Sequence, residues 1–299
     1  LSEHPFPYPA TARSQVVRLQ STDCHLRQWG DPHAPTLFLL HGWLDTSVSF
    51  QFLADALGSG WRLIAPDWPG YGDTPGRPGP YWMYDDVAIL DALLDQCAAD
   101  QPVTLVGHSY GGQVATLYAA ARPERVARCI SLEGFGPPQV ALADAPQRLA
   151  GWLDTIKQRP RHRPYRDRAA LADRLSHANP RLTPERAAFL SRHIGQPDAG
   201  GELMLHMDDW RRLRGLPLSF PAADHFETML AAIQAPTLWL RGDQSHYMAN
   251  VFPTDALYQH RFQCLRHGQQ ALIENAGHNL HHDQPEVLAH HLLEFIERT

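Results

Sequence analysis

Six short apolar runs constrain this chain more than any other feature: 36–40 (TLFLL), 62–65 (RLIA), 103–106 (VTLV), 129–132 (CISL), 237–240 (TLWL) and 271–273 (ALI). None alternates polar and apolar residues as a strand with one wet face does. Near-continuous apolar strands are covered on both faces, which predicts a parallel sheet. Helical patterns lie between the runs. Leu90, Leu93, Leu94 and Cys97 recur at i, i+3, i+4 and i+7 behind the acidic pair Asp85-Asp86. That is an apolar stripe with favourable charge at its N-terminal end. Leu288, Leu292 and Phe295 form a second stripe after Pro285, a residue suited to a first helical turn. Alternating strands and helices define an α/β protein.

The interval 135–229 breaks this rhythm. It opens with Gly136-Pro137-Pro138, contains no strand-like run, and carries 14 basic against 11 acidic residues, where the rest of the chain carries 12 against 21. It reads as a helical cap inserted into a core made of 1–134 and 230–299. Its Arg-rich character equally fits solvated helical faces. Over all 299 residues the formal net charge is −6, which offers nucleic acid or anionic lipid no bulk attraction. No apolar run approaches the roughly 18 residues of a membrane span. Cys24, Cys97, Cys129 and Cys264 form no C-x-x-C pair; isolated thiols suit a reducing compartment, so a cytoplasmic location is expected. The first 30 residues show no basic-then-apolar leader, although a leader removed before Leu1 would leave the same sequence.

The most informative segment is Gly107-His108-Ser109-Tyr110-Gly111, a G-x-S-x-G match between the run 103–106 and a helix-like stretch from Gln113 to Ala121. A serine there sits on a sharp strand-to-helix turn, and the flanking glycines let strand and helix approach. The helix then aims free N–H groups and its positive end at the place where an oxyanion forms. A glycine-rich turn whose serine merely caps the helix is the plainer reading.

His41-Gly42-Trp43 follows the run 36–40. Gly42 permits a tight turn, so the backbone N–H of Trp43 and that of Tyr110 form a candidate two-donor oxyanion hole. His278 lies on a loop after the run 271–273, where it can swing toward Ser109 as the base. Its neighbours His281, His282, His290 and His291 invite a metal reading. Adjacent helical residues diverge by about 100°, however, and no nearby Cys or carboxylate completes a familiar ligand set, so no metal is expected.

With these motifs in place, the sequence resembles the α/β-hydrolase family. His41-Gly42, Pro66-Asp67-Trp68-Pro69-Gly70-Tyr71-Gly72, Gly107 to Gly111 and Gly277-His278 appear in that family's order and cover 36–133 and 236–297. The segments His41 to Asp45 and Leu132 to Pro137 are most similar to the serine hydrolase-like proteins, and more distantly to haloalkane dehalogenases and epoxide hydrolases. The resemblance implies an eight-stranded, mostly parallel sheet with helices on both faces and a helical cap after the sixth strand. Those dehalogenases and epoxide hydrolases use an Asp nucleophile. Ser109 stands in that place here, which argues against both activities.

The acid departs from the commonest pattern. The family usually supplies it three residues beyond the glycine that ends the seventh strand. That position is Ser245 here, and Asp243 lies only one residue past Gly242. Some relatives place the acid after the sixth strand, where this chain has Glu133. A glutamate closing a buried strand needs a partner, which an imidazole N–H would supply. Glu133 is therefore the preferred acid and Asp243 the alternative.

The function expected is that of a serine hydrolase cleaving the ester or lactone bond of a small or medium apolar substrate, with no cofactor. Ser109, His278 and Glu133 would carry the chemistry through an acyl-enzyme. The rate should rise with pH through the histidine range, about 6.5 when unperturbed. His41, His108, Trp152 and Trp210 are candidate substrate contacts. Tyr165, Phe189 and Phe226 are further cap aromatics that either line a pocket or form ordinary cap core. Two other readings stay open: a cofactor-free dioxygenase of N-heteroaromatic rings, which the Gly42-Trp43 and Asp67-Trp68 pairs also resemble, and a catalytically silent binding protein.

Overall fold

A computed structural model describes residues 11–158, 161, 163–213 and 223–299. The chain begins with a hairpin, β1 (Arg13–Leu19) and β2 (Thr22–Trp29), then β3 (Thr36–Leu40), α1 (Gln51–Leu57) and β4 (Arg62–Pro66). Next come α2 (Met83–Cys97), β5 (Val103–His108), α3 (Tyr110–Ala121) and β6 (Val126–Leu132). All six apolar runs are strands. The hairpin leaves no such run, because β1 is mostly exposed and buries only Val17 and Leu19. It forms an antiparallel edge on β4, and an edge strand needs only one apolar face.

Residues 135–229 contain α4 (Ala145–Gln158), α5 (Arg168–Ala178) and α6 (Pro184–Ile194), then β7 (Gly195–Pro197) and β8 (Leu203–Leu205), and most of α7 (Ala223–Ala232). The insertion is thus not purely helical. Two three-residue strands pair antiparallel inside it, too short to leave an apolar run. Helices α5 and α6 pack through Leu171, Phe189 and Leu190 against Val48 and Phe52 of the segment after β3. Helix α7 instead packs on α3, and its Phe226 and Leu230 join the core that contains Trp239.

The chain returns through β9 (Thr237–Gly242), α8 (His246–Val251), α9 (Asp255–Phe262), β10 (Gly268–Ile273), α10 (Leu280–Asp283) and α11 (Pro285–Arg298). The eight main strands lie in the order β1-β2-β4-β3-β5-β6-β9-β10, parallel from β4 to β10. One face is covered by apolar side chains from α2, α3 and α7, the other by those from α1 and α11. The register decides where chemistry can sit. Leu40 pairs with Gly107, His108 with Leu132, Leu132 with Leu240, and Ile273 with Gly242. The residues after these strand ends therefore emerge along one edge of the sheet, the carboxyl edge at which open α/β sheets bind ligands. No helix among the described residues is long and apolar enough to cross a membrane.

Candidate active site

Ser109 occupies the turn between β5 and α3 with φ 50° and ψ −113°, a left-handed conformation that costs an L-residue roughly 1–3 kcal/mol. The turn holds because two glycines remove side chains where backbones meet. A Cβ on Gly111 would lie 2.1 Å from the Leu40 carbonyl oxygen, and one on Gly107 would lie 2.4 Å from that of Gly111. The Ser109 N–H donates to the Leu132 carbonyl at 2.8 Å, which ties the elbow to the end of β6.

His278 brings its ring between two other strand ends. Its Nε2 lies 3.0 Å from Ser109 Oγ, and its Nδ1 lies 2.7 Å from Glu133 Oε2. Glu133 follows β6 in a left-handed conformation, φ 54°, and its N–H donates to the Leu240 carbonyl. The carboxylate is fully buried and accepts two further hydrogen bonds, from Gly242 N–H at 2.8 Å and from Ser245 Oγ at 2.6 Å. Burial pushes the Glu133 carboxyl up to about 8, against the pull of the Ser245 and Gly242 donors. Those two donors and the His278 ring N–H favour its charged form. Burial pushes His278 down to about 4, which keeps the imidazole neutral and able to accept the Ser109 proton.

Asp243 sits elsewhere. It is exposed, and its Oδ1 accepts from Ala276 N–H at 3.2 Å, so it braces the loop that carries His278. Asp283 does the same one residue before the histidine, accepting from Gly277 N–H at 2.7 Å.

Tyr110 is the first residue of α3, where a helix has N–H groups outside its own ladder. Its side chain runs into the core and donates to Asp86. Trp43 is half-buried, and its indole N–H donates to the Arg211 carbonyl at 2.6 Å. Arg211 in turn grips Asp86 with two bonds of 2.7 and 2.8 Å. Both backbones expected at the oxyanion position are thereby fixed to one buried ion pair, which also anchors the inserted segment. Sequence reading did not find this pair, because Asp86 looks like a helix-start acid and Arg211 like one surface arginine among many.

Two expected substrate contacts are corrected. The His41 ring is fully buried; its Nδ1 lies 2.8 Å from the Gly42 carbonyl, and its Nε2 accepts from Trp68 N–H. It shapes the Gly42 turn and presents no surface to a substrate. His108 is also buried, with its Nε2 2.9 Å from the His278 carbonyl, so it supports the backbone of His278 from behind. Trp152 is half-buried with its ring 6.0 Å from that of Trp82, and Trp210 is half-buried beside Arg211. Phe189 and Phe226 are buried core. Tyr247 was not anticipated: its ring lies 4.1 Å from that of His278, over the face of the imidazole.

This chain belongs to the α/β-hydrolase-fold family: the model of the family described as "alpha/beta hydrolase fold" matches residues 35–285. Over 283 residues it is 24% identical to a serine hydrolase-like protein of Danio rerio, spanning 90% of this chain and 83% of the relative. Over 267 residues it is 28% identical to the sn-1-specific diacylglycerol lipase ABHD11 of Mus musculus, spanning 86% of this chain and 79% of the lipase. The solved thioesterase domain from the curacin biosynthetic pathway matches with a TM-score of 0.85 at 28% identity, covering 95% of this chain and 99% of that domain.

Proposed function

We propose that this protein is a serine hydrolase that cleaves an ester-type bond through an acyl-enzyme, with Ser109 as nucleophile, His278 as general base and Glu133 as the acid. The observation that carries this reading is the continuous chain of contacts: Ser109 Oγ to His278 Nε2 at 3.0 Å, and His278 Nδ1 to Glu133 Oε2 at 2.7 Å. The names of the relatives fit it, since a thioesterase domain and a diacylglycerol lipase both act on acyl bonds.

The roles follow from the donors and acceptors. The Glu133 carboxylate accepts from Nδ1–H, so Nε2 carries the lone pair that takes the Ser109 proton. Ser109 Oγ bonds to the substrate carbonyl carbon, and the carbonyl oxygen becomes negative between the N–H groups of Trp43 and Tyr110. The imidazolium formed is stabilised by Glu133 and gives its proton to the leaving alcohol. Water then attacks the acyl-enzyme with His278 as base again, releasing the acid and restoring Ser109.

The test is a panel of p-nitrophenyl esters of rising chain length, run with a lactone and an amide. Turnover of esters that Ser109→Ala abolishes supports the reading. Ester turnover that survives this substitution contradicts it, as does oxygen uptake with a hydroxyquinolone in place of hydrolysis.

A further inference from the structure

We infer a transition-metal site behind the catalytic histidine, made by Asp45, His108 and His281, that takes a Zn²⁺-like ion and slows the hydrolase when occupied. One ligand atom of each residue lies within 4.8 Å of the others. Ions of this type bind imidazole nitrogens and carboxylate oxygens at about 2.0–2.2 Å, so adjacent ligand atoms sit a little over 3 Å apart, and small side-chain rotations close the present spacing.

The hydrogen bonding of His108 makes the case. Its Nε2 meets the carbonyl oxygen of His278 at 2.9 Å. A carbonyl can only accept, so Nε2 holds the ring proton and Nδ1 is a bare lone pair. That Nδ1 is buried and has no partner among the described residues. An imidazole whose other N–H is spent on a backbone carbonyl is the usual arrangement of a metal-ligating histidine. Gly42 keeps space beside the lone pair: a Cβ there would lie 2.8 Å from His108 Nδ1.

His281 is fully buried and turns its Nε2 toward the Asp45 carboxylate, with its Nδ1 left without a partner among the described residues. Its Nε2 lies 3.3 Å from Ser49 Oγ and 3.9 Å from Asp45 Oδ2. Its ring stands 4.4 Å from that of His108. Asp45 supplies carboxylate oxygens, and its side chain is 20% exposed, which gives an ion a way in. The adjacent histidines along α10 misdirect a sequence search, because the partners of His281 come from the turn after β3 and from the end of β5.

The site itself does not depend on the hydrolase reading, whereas its effect on rate does. The His108 and His278 rings are 4.8 Å apart. A dication on the far side of His108 opposes the positive charge that His278 acquires during acyl transfer, and should slow ester turnover about tenfold or more.

The experiment is calorimetric titration of the metal-free protein with ZnCl₂, beside Asp45→Asn and His281→Gln, followed by anomalous scattering from zinc-soaked crystals. One ion per chain is expected, with its anomalous peak between Asp45 and His281. Each variant that retains the native circular dichroism should bind at least about 10–100-fold more weakly, a loss that even outer-shell changes cause. Inhibition of ester turnover by zinc should weaken in parallel. Absence of uptake, uptake equally strong in a folded variant, or a peak elsewhere among the 18 histidines overturns the site. Zinc uptake at the site by a protein without esterase activity would leave the site standing and remove only the hydrolase reading.

Discussion

Ser245 Oγ donates a 2.6 Å hydrogen bond to Glu133 Oε2. Ser245 stands three residues past Gly242, the position from which the family resemblance would have the acid come. The hydroxyl also accepts from Met248 N–H at the start of α8. A serine here therefore caps a helix and donates to a carboxylate that arrives from β6 instead.

Glu133→Gln should lower kcat by about 10⁴, because the histidine loses control of its tautomer and the partner for its charge. Asp243→Asn, which weakens one exposed loop contact, should stay within about tenfold of wild type. Ser245→Ala should fall between them, with a loss of roughly tenfold, the scale of one hydrogen bond to a charged group. Steady-state kinetics on one ester decide the order.

Ser109→Ala should reduce turnover by roughly 10⁴–10⁶ while leaving the thermal melting curve close to that of wild type. The left-handed turn is set by its glycines and strand ends, so removing the hydroxyl leaves it in place. Single-turnover assays measure the first part of this claim, and thermal unfolding followed by circular dichroism measures the second.

The acid limb of the pH–rate profile should lie below the ordinary histidine range. Burial lowers His278 to about 4, against the rise that a carboxylate neighbour alone suggests from sequence. A base works in its neutral form, so a lowered pKa preserves activity as pH falls. The profile of kcat/KM should stay nearly flat from pH 8 to about 6 and decline at more acid pH. A midpoint near 7 would mean that the Glu133 charge outweighs burial.

The Asp86–Arg211 pair should matter to stability as well as to the site. Both side chains are almost wholly buried, and Tyr110 donates to the same carboxylate. Arg211→Leu strands the carboxylate without its partner, which costs about 3–5 kcal/mol in comparable buried pairs. Urea unfolding should register that loss, and kcat should fall too, because Trp43 and Tyr110 are fixed to this pair.

The parallel strands were legible because double-sided burial leaves unbroken apolar runs. Ser109 and His278 were legible from the strand–turn–helix context and from a loop after the last strand. Glu133 could be inferred from the cost of burying a carboxylate at a strand end. The β1–β2 hairpin was not visible, since an edge strand with one exposed face leaves no continuous apolar run. Neither were Arg211 and Tyr247: their partners lie 125 residues away in Asp86 and 31 away in His278, and nothing local in the sequence marks such contacts. His41 and His108 were misjudged because a histidine next to a catalytic motif looks functional until its burial is known.

The central claim is that Ser109 is the nucleophile of an acyl-transfer reaction. Labelling with a fluorophosphonate probe, read by intact mass and peptide mapping, tests it most directly. One adduct per chain, mapped to Ser109, with ester turnover lost in proportion to labelling and no adduct on Ser109→Ala, is the predicted result. Undiminished ester turnover in fully labelled protein, or an adduct mapped to another residue, would contradict it.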